Sequence, residues 1–449
     1  MGRVRERHGY YDPMIPEDYY WLKLVLFGLV TGLCLSAGIS SQSGATSQLQ
    51  KPLQEQVSVT NIEIPVRVLK GATFVDHLTI DDFEVFEDGK PQQIEAVYLI
   101  QKTDIKREEG EEGSPRWVGR PQLARQFVLL FDMSDYMPEV GKALDYFFDK
   151  VILPGDSLMV ITPMSQYRMR SDAIAKRSSA EIKQQLQGRL RRDILRGSAE
   201  YRSTIDALYK ILNADPSDPK DPNSEFTVGS PEEQLDLYRQ YINKLEALRM
   251  VDEKSLLEFA GVLKSLPGQK YVYMFHQMER IPQFSPKGVM MKMFEDQDDP
   301  FKVFSYMENF DLHTRSVRFN VEAVKKVYAD SSITVHFLFI TKTPALNVPV
   351  TEAKNAKAAM DPRQDVTMVE HSEDIRSAFS EVARATGGIS ESSANAAAAF
   401  EKAVNASENY YLIYYTPKDY KADGKFHAIK VKVKGGGYSV THRAGYIAT

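Results

Sequence analysis

The chain has 449 residues, more than one ordinary hydrophobic core organises, so the length predicts two or three domains. Hydrophobic residues make up 43% and charged residues 26%, which excludes a disordered polyelectrolyte, and a formal net charge of −5 gives no reason to expect nucleic-acid binding, which usually shows a basic footprint. With Cys34 as its single cysteine, the chain cannot hold an internal disulfide or a cysteine-built metal site.

Leu24–Ile39 is uncharged and mostly apolar. Arg3, Arg5, Arg7 and Lys23 precede it, and the small polar run from Ser40 to Ala45 follows. A cationic start, an apolar middle and a small-residue exit predict export, through a cleaved signal peptide or an uncleaved anchor. The protein is then periplasmic, extracellular or held at the membrane through residues 21–39. Residues 1–50 are read as this segment plus a linker.

Residues 51–103 read as a β module. Val57–Leu69 alternates apolar and polar with period two. Asp88-Gly89 lies between Phe83-Glu-Val-Phe86 and Ile94–Tyr98, a hairpin signal. Residues 104–124, charged and Gly/Pro-containing, read as a second linker.

From Gln126 the pattern changes. Phe127–Phe131 is a continuous apolar run ending in Asp132-Met-Ser134 and a helix start at Pro138, which predicts a strand buried on both faces with polar groups at its carboxyl tip. Helices are expected over Glu139–Val151, Ala180–Leu195, Thr204–Asn213, Val321–Ala329, Ile375–Ala385 and Asn395–Ala406. Asp215–Pro222 is a breaker-rich loop, and a helical stretch runs from Pro231 to about Leu266. Strands are expected over Asp156–Thr162, Tyr271–Phe275, Ile333–Ile340 and Tyr410–Tyr415. This alternation predicts an α/β domain at 125–416 with a mostly parallel sheet flanked by helices. Residues 417–449 return to β, with strands over Lys425–Lys434 and Tyr438–Arg443 about the Gly435-Gly-Gly437 turn.

Three pieces, taken together, resemble one family. Leu78–Ile94 contains Asp-Asp-Phe-Glu-Val-Phe-Glu-Asp-Gly, Phe127–Ser134 forms a strand and loop start, and the end reads Gly424-Lys-Phe-His-Ala-Ile-Lys-Val with Arg443-Ala-Gly-Tyr446. They are similar to the von Willebrand factor A-related proteins of the type first defined in Acidobacteria. The resemblance implies a von Willebrand factor A-like, Rossmann-like fold, with β modules at both ends and helical insertions at about 215–266 and 281–316.

The resemblance also implies a divalent-cation site built from Asp-x-Ser-x-Ser, a Thr from a second loop and an Asp after the fourth strand. Asp132 and Ser134 match the first two positions. Tyr136 stands third, Arg202 stands where the Thr is expected, and Gln277 replaces the Asp. Mg²⁺ wants near-octahedral hard oxygens, so the expected site is degenerate and holds no tightly bound cofactor. A guanidinium from Arg202 is expected to neutralise Asp132, unless Ser203, Thr204 and Asp135 shift in to rebuild a weak site. Without a metal, Asp132 and Ser134 cap the helix and hold the loop.

The expected function is protein binding or scaffolding at the cell envelope, without catalysis. A metal-dependent adhesion protein is the first alternative. A hydrolase combining Ser134, His276 and Asp132 or Asp135 is the second, and no nucleophile-elbow motif supports it. His336 reads as a core histidine, and the Met/Phe-rich 289–310 stretch as helix packing or an adaptable partner surface.

Overall fold

A computed structural model describes residues 17–18, 61–110, 124–213, 231–284, 298–300, 317–330, 333–342 and 366–449. The apolar N-terminal run, the 215–222 loop and the 289–297 and 301–310 parts of the Met/Phe-rich stretch lie outside these residues. Among the described residues no helix is long and apolar enough to cross a membrane.

The predicted apolar strands form and lie side by side. Arg125–Asp132 pairs in parallel with Ser157–Ile161 on one side and Gln269–Gln277 on the other, and Ile333–Ile340 and Ser390–Ser393 follow. Helices cover both faces. One face buries Phe127, Leu129 and Phe131 against Pro138–Tyr146, Ser179–Gly197 and Ala396–Glu408. The other buries Val128, Val272 and Phe337 against Glu253–Lys264, Val321–Asp330 and Glu373–Ala385. Each such aromatic or branched side chain contributes roughly 1.5–3 kcal/mol on leaving water.

The expectation of a mostly parallel, Rossmann-like von Willebrand factor A sheet is overturned. The fold is mixed α/β with mostly antiparallel pairing, curled into a half-barrel. The ladder on Ser157–Ile161 is closed by Ser165–Met169, which runs antiparallel. Asn409–Tyr415, expected in the parallel sheet, instead lies between Ile62–Lys70 and Ile94–Gln101, antiparallel to both. Its sequence misleads for a physical reason. The strand is apolar throughout because both of its faces are covered, not because its neighbours run parallel. Tyr411, Ile413 and Tyr415 pack into the β core with Ile64 and Phe83, while Tyr410, Leu412 and Tyr414 pack on the opposite face with Tyr98.

The two ends of the chain build these antiparallel sheets together. Phe426–Val433 pairs with Phe83–Glu87, and Tyr438–His442 pairs with Ile62–Lys70. The expected linker at 104–124 begins as a strand, because Asp104–Gly110 pairs with Ile94–Gln101. Alternate exposure along it identifies a charged edge strand, and edges of this kind resist further pairing. The long helical stretch divides into Pro231–Leu248 and Glu253–Lys264, with Asp252 capping the second through the Ser255 N–H. A hairpin-like pair absent from the expectations, Arg280–Phe284 with Val366–Glu370, supports the first of these helices.

Candidate functional site: the Asp132 tip

Parallel register sets Asp132 beside His276 at the carboxyl ends of two adjacent central strands. Both are buried, at 5% and 1% exposure. His276 Nδ1 lies 2.8 Å from Asp132 Oδ2, and its Nε2 faces Glu279 Oε1 at 3.8 Å. Arg249 arrives from the loop after Pro231–Leu248. Its Nη1 stands 2.9 Å from Asp132 Oδ1 and its Nε donates to Glu279 Oε1 at 2.8 Å. The guanidinium lies over the Tyr201 ring, 4.8 Å from its centroid. Burial by itself would lower the Arg249 pKa, but the Asp132 and Glu279 carboxylates outweigh it and raise the value further. The result is a buried quartet of two carboxylates, one guanidinium and one imidazole. Such groups persist in an interior only when they satisfy one another.

The other sequence-predicted residues are close by but otherwise engaged. Gln277 is fully buried, and its Oε1 accepts from the Ser134 N–H at 3.0 Å, the Ser134 hydroxyl at 3.1 Å and the Asp135 N–H at 3.0 Å. Its Nε2 donates to the Lys342 carbonyl at 3.2 Å. One neutral carboxamide therefore gathers two N–H groups of the loop and the Ser134 hydroxyl. Asp135 accepts from the Tyr136 N–H, an arrangement local to the turn. Tyr136 turns its ring onto the apolar core, and burial raises the pKa of its phenol.

The guanidinium on Asp132 is that of Arg249, which corrects the expectation for Arg202. Arg202 Nη1 donates to the Ser134 carbonyl at 2.8 Å and to the Ser198 hydroxyl at 2.5 Å, and its Nη2 donates to the Leu195 carbonyl at 2.5 Å. Arg202 thus ties the loop's backbone to the preceding helix. Thr204 turns its hydroxyl back to the Glu200 carbonyl at 2.8 Å, inside its own helix, and does not rebuild a ligand set. Ser134 and His276 share no hydrogen bond. The serine hydroxyl is on Gln277 and the imidazole is between two carboxylates, so a nucleophile–base pair is not assembled.

A cavity of about 50 Å³ borders Asp132, lined by Leu130, Ile161, Leu256, Phe259 and Met274. Ligand pockets run to roughly 300 Å³ and above, so this is a packing gap beneath the quartet. His336 is a core residue, as expected. Its Nε2 meets the Ser407 hydroxyl at 2.8 Å, its Nδ1 accepts from the Ile389 N–H at 3.3 Å, and its ring stacks on Tyr273.

Sequence reasoning missed Arg249 and Glu279. Glu279 lies two residues beyond Gln277, on the same strand exit, which was a signal of position. Nothing in the sequence marks Arg249, because its burial is created by the packing of the helices around it.

No protein-family model matches this chain, and no curated protein or solved structure matches it.

Proposed function

We propose that this chain is an exported cell-envelope protein that works by binding other proteins, and that its Asp132 tip is a structural lock instead of a metal or catalytic centre. One observation carries the reading. Asp132, which would lead any cation or acid–base chemistry here, already has one oxygen on Arg249 and the other on His276. Entry of a cation would require Arg249 to leave, stranding Glu279 as a buried charge. The chain's resemblance to the von Willebrand factor A-related proteins and its Leu24–Ile39 segment support the envelope setting.

The helices that deliver Arg249 also offer the surface on which partners would be found. Gln240, Asn243 and Lys244 lie exposed on Pro231–Leu248. A photo-cross-linking residue at Gln240 in intact cells tests the reading. Discrete adducts in the envelope fraction, formed equally with and without EDTA, are the expected result. Recovery only in the soluble cytosol would overturn the envelope placement. Adducts that vanish with EDTA, together with Mg²⁺ binding abolished by Asp132→Ala, would replace the lock with a metal-dependent adhesion site.

A further inference from the structure

Away from the Asp132 tip, four ionisable side chains from two distant stretches meet at one end of the half-barrel. Glu87 ends the Phe83–Glu87 strand and Asp88 begins its hairpin turn, whereas Asp423 and His427 lie at the start of Phe426–Val433. The pairing of Ile429 with Glu87 brings the two stretches together.

His427 Nδ1 lies 2.8 Å from Asp88 Oδ2 and 3.6 Å from Glu87 Oε1. One ligating atom from each of the three residues lies within 4.8 Å of the other two. Two ligands held ~2.1 Å from a zinc ion stand ~3.0 Å apart at a right angle and ~3.4 Å apart at a tetrahedral one. The 2.8 Å contact is a hydrogen bond that an ion would open slightly, and the 3.6 Å contact is slightly wider than the tetrahedral spacing, so small side-chain shifts bring the three atoms around one ion.

Each candidate ligand is also anchored through its other polar atom. Asp88 Oδ1 accepts from the Ala428 N–H at 2.9 Å, and Glu87 Oε2 accepts from the Tyr415 hydroxyl at 2.7 Å. His427 Nε2 faces Asp423 Oδ1 at 3.4 Å, and its ring stacks on Tyr446 with centroids 5.4 Å apart. Outer partners of this kind, above all a carboxylate behind the imidazole, orient the ligands of protein metal sites. Asp88 keeps 48% of its side chain exposed and His427 20%, so an ion can enter from solvent and retain water on its open side.

We propose that Glu87, Asp88 and His427 form a binding site for a divalent transition metal of the zinc or manganese class, with Asp423 orienting the imidazole. The donor set is one imidazole nitrogen and two carboxylates, which suits those ions. The acidic surroundings favour positive charge here, because Glu87, Asp88 and Asp423 all face the His427 ring. Lys425 lies 3.8 Å from Asp423 and competes for its charge. The bound ion would fasten the chain's closing segment to its entry hairpin.

Equilibrium dialysis of the full-length protein against Zn²⁺ and, separately, Mn²⁺ tests this. The expected result is one equivalent of at least one of the two ions. His427→Gln and Asp88→Asn should each remove that equivalent, Asp423→Asn should weaken it by at least about tenfold, and His77→Gln, at an exposed histidine, should leave it in place. Asp423→Asn retains every proposed ligand, so it keeps the test valid if a ligand variant misfolds. Failure of the wild type to bind either ion at tens of micromolar, or unchanged binding in His427→Gln and Asp88→Asn, would overturn the proposal. Neither result bears on partner binding or on Asp132.

Discussion

Arg249 and Arg202 do different work. Arg249 balances two buried carboxylates, so Arg249→Met leaves Asp132 and Glu279 in the interior without it. That loss is expected to cost about 3–5 kcal/mol in urea unfolding. Arg202→Met removes hydrogen bonds to part-buried carbonyls and should cost only about 1–3 kcal/mol. A larger loss at Arg202 would show that the lock has been assigned to the wrong arginine. His336 gives the pH counterpart. Burial first, and the Arg67 charge second, press its pKa down to about 3. The folded state therefore holds it neutral, while the unfolded chain takes up a proton near pH 6.5. Its contribution to stability is complete above that pH and is lost as pH falls toward 3. Imidazole NMR should show His336 still neutral at pH 4, and wild-type stability should decline more steeply than that of His336→Gln between pH 6.5 and 4. Convergence of Asp132, Ser134 and Gln277 was legible in the sequence because all three sit at strand exits. The identity of the neutralising arginine was not, since it depends on how the Pro231–Leu248 helix and the loop after it fold back.

Among the elements, the turn that follows the Glu373–Ala385 helix runs close against the Ile333–Ile340 strand. A Cβ at Gly388, just past that helix, would lie 1.9 Å from the Val335 carbonyl oxygen. Backbone cannot yield as a side-chain end can, so Gly388→Ala is expected to destabilise by about 3 kcal/mol. Gly261, inside the Glu253–Lys264 helix, faces open space, and Gly261→Ala should instead stabilise by about 0.5–1 kcal/mol. Thermal unfolding of the two variants separates the effects, and equal shifts would refute the close approach. The Gly387-Gly388 stop was readable as a helix end, but the crowding that demands glycine there was not. Strand positions were readable from apolar runs and alternation. Strand direction was not, because Asn409–Tyr415 is as apolar as a parallel strand while lying between antiparallel neighbours. Asp104–Gly110 was read as linker because an edge strand needs few apolar residues when one side faces water.

At the scale of the molecule, the half-barrel is woven from opposite ends of the chain. Ile62–Lys70 has Asn409–Tyr415 on one side and Tyr438–His442 on the other, with the α/β layer inserted between them in sequence. This makes for a high contact order, and such pairings close slowly. As the chain is synthesised, its first strands must wait for its last ones. A chain ending at Glu408 should accordingly be cut early by protease within residues 62–110, while 124–213 stays protected. Mass spectrometry of the first fragments reads this, and equal protection of 62–110 in the truncated and full-length chains would rule it out. The order of events has a consequence for the chain during synthesis. A polypeptide whose Ile62–Lys70 strand lacks these two neighbours until residues 409–442 are made carries an open β edge for most of that time. Its completion is timed by its own carboxyl terminus.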